Sequence, residues 1–177
     1  MSKFVQKTAK SFEITWKTTN AWEQKRLGDI SKVRTGISNS DQQNPNGKYP
    51  FFIRSDKQVY SDKYYMDCEA IIIIGDGKIG EVFHYINGKF DLHQRCYAIT
   101  DFVNIYSKYL YLFFSSNFRS VVIKESAKNT VDSVRMSMIT NMNIWSPPTQ
   151  PEQKIISKLF ENMNTMASLL QCKPKTC

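Results

Sequence analysis

The chain reads as an α+β protein, a mixed and mainly antiparallel sheet domain followed by one C-terminal amphipathic helix. Three observations predict it. Strand-type patterns dominate the chain before Tyr106, helical crowding of apolar residues begins only after it, and Pro147-Pro148 separates a short strand from the most regular apolar repeat in the sequence. Strands followed by helices, not alternating with them, make a segregated α+β layout.

Residues 1–21 form a lead-in dominated by Lys, Thr and Ser, with a short strand at 12–16. The domain proper occupies residues 22–148 and opens on Trp22-Glu23-Gln24-Lys25-Arg26-Leu27. Leu27, Ile30 and Val33 recur every three residues, which suits a short helical turn or an irregular start to a strand. Asn44-Pro45-Asn46-Gly47 is a turn signal inside a polar loop. Residues 49–53 are strand-like, and residues 59–66 carry strand formers in a polar setting. A buried strand is expected at 70–74, a turn at 75–80, and a second strand at 81–86 with Val82, His84 and Ile86 on one face and Phe83 and Tyr85 on the other. Asn87-Gly88 predicts a hairpin turn, because both central residues of that turn take positive φ. A third strand follows at 96–100. Beyond it, residues 109–114 crowd one helical segment, and Phe118, Val121 and Val122 point to another. Residues 126–132 are loop-like, 134–142 are Met-rich with mixed periodicity, and 143–146 return to a short strand.

Gly75-Asp76-Gly77-Lys78-Ile79-Gly80 matches G-x-G-x-x-G after a strand, the pattern of a dinucleotide site. That site needs a helix after the glycines, whose N-terminus holds the pyrophosphate. Here β-branched and aromatic residues follow, so a glycine-rich turn is expected, structural or close to a phosphate or base edge.

Residues 149–177 form the helical unit. Thr149-Gln150-Pro151-Glu152 is a capping box with proline in the tolerated first turn. Ile156, Leu159, Met163, Met166 and Leu170 then recur at spacings of three, four, three and four, the seam of a helix–helix contact. Ile155 and Phe160 widen its start, and Pro174 stops a helix of about 35 Å running to Cys172. Two heptads leave two readings open: a helix packed on its own domain, or one awaiting a partner helix.

A formal net charge of +8 and a pI near 9.3 suit a polyanionic partner such as nucleic acid, or simply a basic surface. Cys68, Cys96, Cys172 and Cys177 lack zinc-ligand spacing, and residues 1–10 do not read as a secretory segment, so free thiols and a cytoplasmic location are expected. The longest aliphatic run, residues 70–74, is too short for a bilayer, so no membrane partner is expected. Neither His84 nor His93 adjoins a nucleophile, and no carboxylate pair has catalytic spacing. The chain is expected to bind no metal, to hold no cofactor and to be non-catalytic.

Taken in order, several segments resemble the specificity subunits of type I restriction–modification enzymes. Trp22-Glu23-Gln24-Lys25-Arg26-Leu27-Gly28-Asp29-Ile30 is similar to the family's W-E-Q-x-K-L-G-E-I opening, and Thr35-Gly36-Ile37-Ser38 to its T-G-x-[ST]. Tyr49-Pro50-Phe51-Phe52-Ile53-Arg54 resembles its Y-P-F-I-R strand, and residues 75–82 its G-x-x-G-x-V hairpin. Pro147-Pro148 with Glu152-Gln153-Lys154-Ile155 resembles the P-P-x-x-E-Q-x-K-I junction before its conserved helix. Each piece alone is weak; the ordered set over residues 22–170 is specific. The resemblance implies a mixed α/β target-recognition domain whose loops read half of a split double-stranded DNA site. It further implies a helix that spaces two such domains and docks modification subunits. Those subunits would bind S-adenosylmethionine and methylate adenine, and a restriction subunit would join through the complex. A full subunit has two recognition domains and two long helices, so this chain is expected to be a half-subunit or a truncated copy that self-associates through its helix. Lys128-Asn129-Thr130-Val131-Asp132-Ser133 resembles a family loop that usually has glycine where Asn129 stands, and Asn tolerates positive φ better than most residues.

The expected DNA face lies at strand ends carrying Arg34, Arg54, Ser55, Lys57, Asp76, Lys78, Gln94, Arg95, Lys128, Asn129, Thr130 and Arg135. Arg and Lys suit guanine edges or phosphates; Gln and Asn suit adenine. Two competing readings stay open. One is a fragment of a fused restriction–methyltransferase, although N-P-P-[YF] is absent and Asn44-Pro45-Asn46-Gly47 does not supply it. The other is a decoy that caps modification subunits without touching DNA.

Overall fold

The computed structural model describes residues 21–126 and 133–171. The strand expected at 12–16, the loop residues Lys128, Asn129 and Thr130, and the helix stop at Pro174 with Cys172 and Cys177 lie outside the described residues. The elements in order are β1 (Glu23–Arg26), α1 (Leu27–Ile30), β2 (Lys32–Thr35), a 3-10 turn at Ser40–Gln42, β3 (Tyr49–Phe52), β4 (Val59–Ser61), β5 (Met66–Ile74), β6 (Phe83–Leu92) and β7 (Cys96–Thr100). After them come α2 (Ser107–Ser126), α3 (Met136–Thr140), β8 (Asn143–Ser146) and α4 (Gln150–Gln171). The α+β layout read from the sequence holds. A six-stranded sheet has the order β2-β7-β5-β6-β3-β4, and β1 and β8 form a two-stranded sheet. Every pairing is antiparallel except β3 with β6.

The isoleucines of β5 define two cores, because successive side chains of a strand point to opposite faces. Ile71 and Ile73, with Ile99 of β7, pack beneath Leu110, Phe114 and Phe118 of α2 and Met138 and Ile139 of α3. Ala70 and Ile72 face the other way, onto Phe90, Leu92, Cys96 and Ala98. This smaller core is enclosed because β6 bends after Phe90. Residues 91–92 leave β5 and pair with β3, and Leu92 O accepts the N–H groups of Ile37 and Ser38 beyond β2. The two ends of the sheet are thereby drawn together. His84 and Ile86 lie toward this inner face, and Phe83 and Tyr85 lie under α2, as the alternation predicts.

The strand formers of residues 59–66 fall in β4 and at the start of β5, with residues 62–65 between them. Two local expectations are corrected. The two helical segments expected after Tyr106 are one helix, α2. Leu110, Phe114, Phe118 and Val122 keep a spacing of four through Ser115 and Asn117, whose polar side chains bond back to the helix's own carbonyls at Leu112 and Phe113. Asn87-Gly88 is not a hairpin turn either; it lies inside β6, opposite Glu69 and Cys68. Gly88 has φ +132, an extended geometry reserved for glycine, whereas Asn87 is not among the residues with positive φ. The chain reverses instead at His93-Gln94-Arg95, closed by the Cys96 N–H donating to His93 O at 2.9 Å.

This placement separates two substitutions that a hairpin turn would couple. Gly88→Ala should lower stability by about 1–3 kcal/mol through backbone strain. Exposed Asn87→Ala should stay within about 0.5 kcal/mol of the parent. Urea unfolding of both variants checks it; equal losses would restore the turn.

Candidate nucleic-acid interface

Three loops and one extended segment meet at the end of the sheet where β5 finishes and β7 begins. They are residues 53–58 after β3, residues 75–82 between β5 and β6, the turn at 93–95, and residues 133–135 before α3. Asp76 stands at their junction. Its Oδ2 receives Nη1 of Arg54 at 3.3 Å and Nη1 of Arg95 at 3.2 Å. Asp76 also bridges to Ser133, and Gly75 O accepts the Val134 N–H at 2.6 Å. Gly75 N–H donates to Arg95 O at 2.9 Å, and a Cβ on Gly75 would meet that oxygen at 2.1 Å. Gly75 thus makes a structural close approach, to the protein's own backbone. Strand β6 comes directly after the glycine-rich loop, so the helix N-terminus required by a pyrophosphate site is missing.

Of the residues proposed from sequence, Arg54, Ser55, Lys57, Asp76, Lys78, Gln94 and Arg95 come together here, and exposed Arg135 continues the segment held by Gly75. Lys78 pairs with Asp56 at 2.9 Å. Lys57 and Arg135 have no ion pair among the described residues. Two clefts flank Asp76. One of about 240 Å³ is lined by Gln94, Arg95, Tyr97 and Ser133, and another of about 370 Å³ by Ser40, Arg54 and Ser55. Arg34 does not join them. It lies on β2 opposite Ala98 and pairs with Asp101 at 2.9 Å, beyond the other end of β7.

His93 and Asp56, which are not among the residues proposed for this face, also shape it. His93 is buried at the turn, where its Nδ1 accepts the Arg95 N–H at 3.1 Å. Burial, together with the charges of Arg54 and Arg95 and against that of Asp76, holds its pKa below the usual 6.5. Burial also lowers the pKa of His84, against the charge of Asp56. Asp56 is held low, and Lys78 high, by their mutual hydrogen bond and charge. The Asp56–Lys78 pair joins two loops and so has no local pattern in the sequence, whereas the His93–Arg95 bond lies within one turn.

A second feature lies along α4. Its first turns dock on the domain through buried Gln153, whose Oε1 accepts the Tyr106 N–H at 2.7 Å and whose Nε2 donates to Pro147 O at 2.9 Å. Buried Ser157 and partly buried Ile156 continue the contact. Ile156 thus packs on its own domain and not on the exposed seam. Leu159, Met163, Met166 and Leu170 are 56–82% exposed, and Ile155 stands with them. No helix among the described residues is long and apolar enough to cross a membrane.

Residues 19–175 match the model of the type I restriction modification DNA specificity domain. The chain is 24% identical over 142 residues to the type I restriction enzyme EcoDI specificity subunit of Escherichia coli, covering 80% of this chain and 31% of that one. Among solved structures, the type I restriction–modification S subunit from M. genitalium superposes with a TM-score of 0.66 at 20% identity, covering 86% of this chain and 42% of that one. The HsdS subunit from Thermoanaerobacter tengcongensis gives 0.62 at 16% identity, covering 89% and 41%. The chain thus spans about a third of the curated relative and about two fifths of each solved chain.

The two histidines fix a pH dependence. The folded state favours neutral rings, while the unfolded chain takes up protons near 6.5. Their contribution to stability is complete above that pH and drains as pH falls below it. The melting temperature should be flat near pH 7 and drop toward about pH 5, less steeply in a His84→Gln/His93→Gln double variant. A melting temperature that rises on acidification over this interval contradicts the assignment.

Proposed function

The chain belongs to the type I restriction–modification DNA specificity family, and on that footing we propose that it recognises double-stranded DNA through the loop face around Asp76. The observation that carries this reading is the gathering of Arg54, Lys57, Lys78, Gln94 and Arg95 from three separate loops at one end of the sheet. Guanidinium and amide groups held on short, stitched loops have the chemistry that reads base edges, and unpaired lysine has the chemistry that meets phosphate. The chain itself performs no catalysis in this proposal. Adenine methylation, with S-adenosylmethionine, belongs to separate modification subunits, and a restriction subunit joins through the complex in the cytoplasm.

The exposed stripe of α4 is the proposed pairing surface. One domain reads one half-site, so two copies joined through Ile155, Leu159, Met163, Met166 and Leu170 read two. Two methionines make the seam adaptable. Weak self-association alone, strengthened by modification subunits and DNA, is the expected behaviour. A two-fold pair imposes an interrupted palindrome on its target.

Two measurements test the proposal. In duplex binding, Arg95→Ala should cost about 1–3 kcal/mol of discrimination if the side chain reads a base, or weaken all duplexes alike and flatten the salt dependence if it meets phosphate. Unchanged binding after substitution of Arg54, Lys57, Lys78, Gln94 and Arg95 in turn would remove the face from DNA. Separately, Leu159→Asp places a charge in the seam and should abolish pairing. Methylation mapping with a modification subunit reads both consequences: a non-palindromic target, or full activity of Leu159→Asp, rejects the symmetric pair. Intact docking with no DNA affinity supports the decoy, and methylation or cleavage by the chain alone supports the fused-enzyme fragment.

A further inference from the structure

We infer that Asp76 is the specificity-determining positioning residue of this face: its carboxylate holds Arg54 and Arg95 aimed at base edges and discounts their attraction for phosphate. The inference rests on the DNA-binding reading above. Two guanidinium groups from loops that are distant in sequence converge on one oxygen, at 3.3 and 3.2 Å. Without the carboxylate, like charges at this separation repel and the two side chains spread into solvent. Arg54 and Arg95 are about half and nearly two-thirds exposed, whereas Asp76 is only 17% exposed, so the acid is the fixed partner and the arginines are the presented ones.

The backbone explains how the acid stays fixed. The bridge to Ser133 and the two Gly75 hydrogen bonds clamp residues 75–76 between the 93–95 turn and the 133–134 segment. The other oxygen, Oδ1, is buried with no hydrogen-bond partner among the described residues, and Oδ2 is the oxygen that serves both arginines. Each arginine lines one of the two clefts, and Asp76 is the wall they share. A guanidinium has five N–H donors in a planar fork. One bond to Asp76 tethers Nη1 of each arginine and leaves its other donors for a guanine edge.

The same logic divides the cations of the face. Arg54 and Arg95 share the single charge of Asp76 and Lys78 pairs with Asp56, while Lys57 and Arg135 have no ion pair among the described residues. The uncountered pair is suited to sequence-independent phosphate attraction, and the partly countered arginines attract phosphate less and gain most where a base edge offers directional acceptors.

The test uses the full chain assembled with modification subunits, a site selected from a randomised duplex library, and a scrambled duplex of equal length. Asp76→Asn keeps the shape and removes the charge. It should lower the selected-to-scrambled affinity ratio by about tenfold or more. Affinity for the scrambled duplex should rise, and the salt slope should steepen by about one to two as the freed arginines meet phosphates. Asp76→Glu keeps the charge and moves it, so the ratio should fall with the salt slope unchanged; this variant also serves if Asp76→Asn melts below the assay temperature. Equal losses on both duplexes in Asp76→Asn would make the residue merely structural and overturn the inference, as would an unchanged ratio in both variants. Absence of sequence preference in the parent complex would instead overturn the DNA-binding reading itself.

Discussion

Strand β5 is hydrogen-bonded along both edges and covered on both faces, and the other layers are arranged around that burial. Residues 70–74 are almost wholly excluded from solvent, and β6 and β7 take their two edges. Each fully buried isoleucine contributes about 1.5–3 kcal/mol of transfer free energy, an upper figure because unfolded chains already bury some surface. Alternating side chains commit that energy to opposite faces, so one strand specifies both the large core beneath α2 and the small core enclosed by the bend of β6. The same strand ends at Gly75-Asp76. The rigidity of the buried segment is thereby delivered directly to the carboxylate on which the loop face is built.

Much of this was legible in the sequence because it rests on local periodicity. The buried run at 70–74, the alternation at 83–86, the strand at 96–100 and the helical repeat of α4 each recur within a few residues, and each element is present. Where the reading failed, a tertiary contact outweighed a local signal. Asn87-Gly88 carries strong turn chemistry, but a turn there would leave the β5 edge unpaired opposite residues 66–69, and glycine's freedom is used instead for an extended φ inside a strand. The polar run Ser115-Ser116-Asn117 reads as a break because its polarity is visible in the sequence and the bonds of Ser115 and Asn117 to the helix's own carbonyls are not.

The candidate site divides in the same way. Residues were chosen for charge at strand ends, which gathers Arg54, Lys57, Lys78, Gln94 and Arg95 because short turns bring strand ends together. Arg34 has the same chemistry but points along β2 to Asp101, and side-chain direction along an edge strand has no local signature. The bend of β6 carries His93 to Phe52 O and Gln94 to Ser38 O. It was invisible for a related reason: it depends on partners more than forty residues away in sequence.

Helix α2 connects the first turns of α4 to the glycine-rich loop. At its N-terminal end, Ser107 donates to Glu69 at 2.6 Å, Tyr85 bonds the same carboxylate, and the neighbouring Tyr106 N–H is held by Gln153 of α4. Toward its C-terminal end, Arg119 pairs with Glu81 at 3.1 Å and packs so closely on Gly80 that a Cβ there would lie 3.2 Å from its Cα. A helix of 20 residues spans about 30 Å. Phe114 and Phe118 lock it to the sheet along that length. The first turns of α4 and the glycine-rich loop beside Asp76 are therefore attached to one stiff helix at points about 18 Å apart along its axis. The docked turns of α4 and the loop face thus share one scaffold, held by helix α2 and its aromatic packing on the sheet.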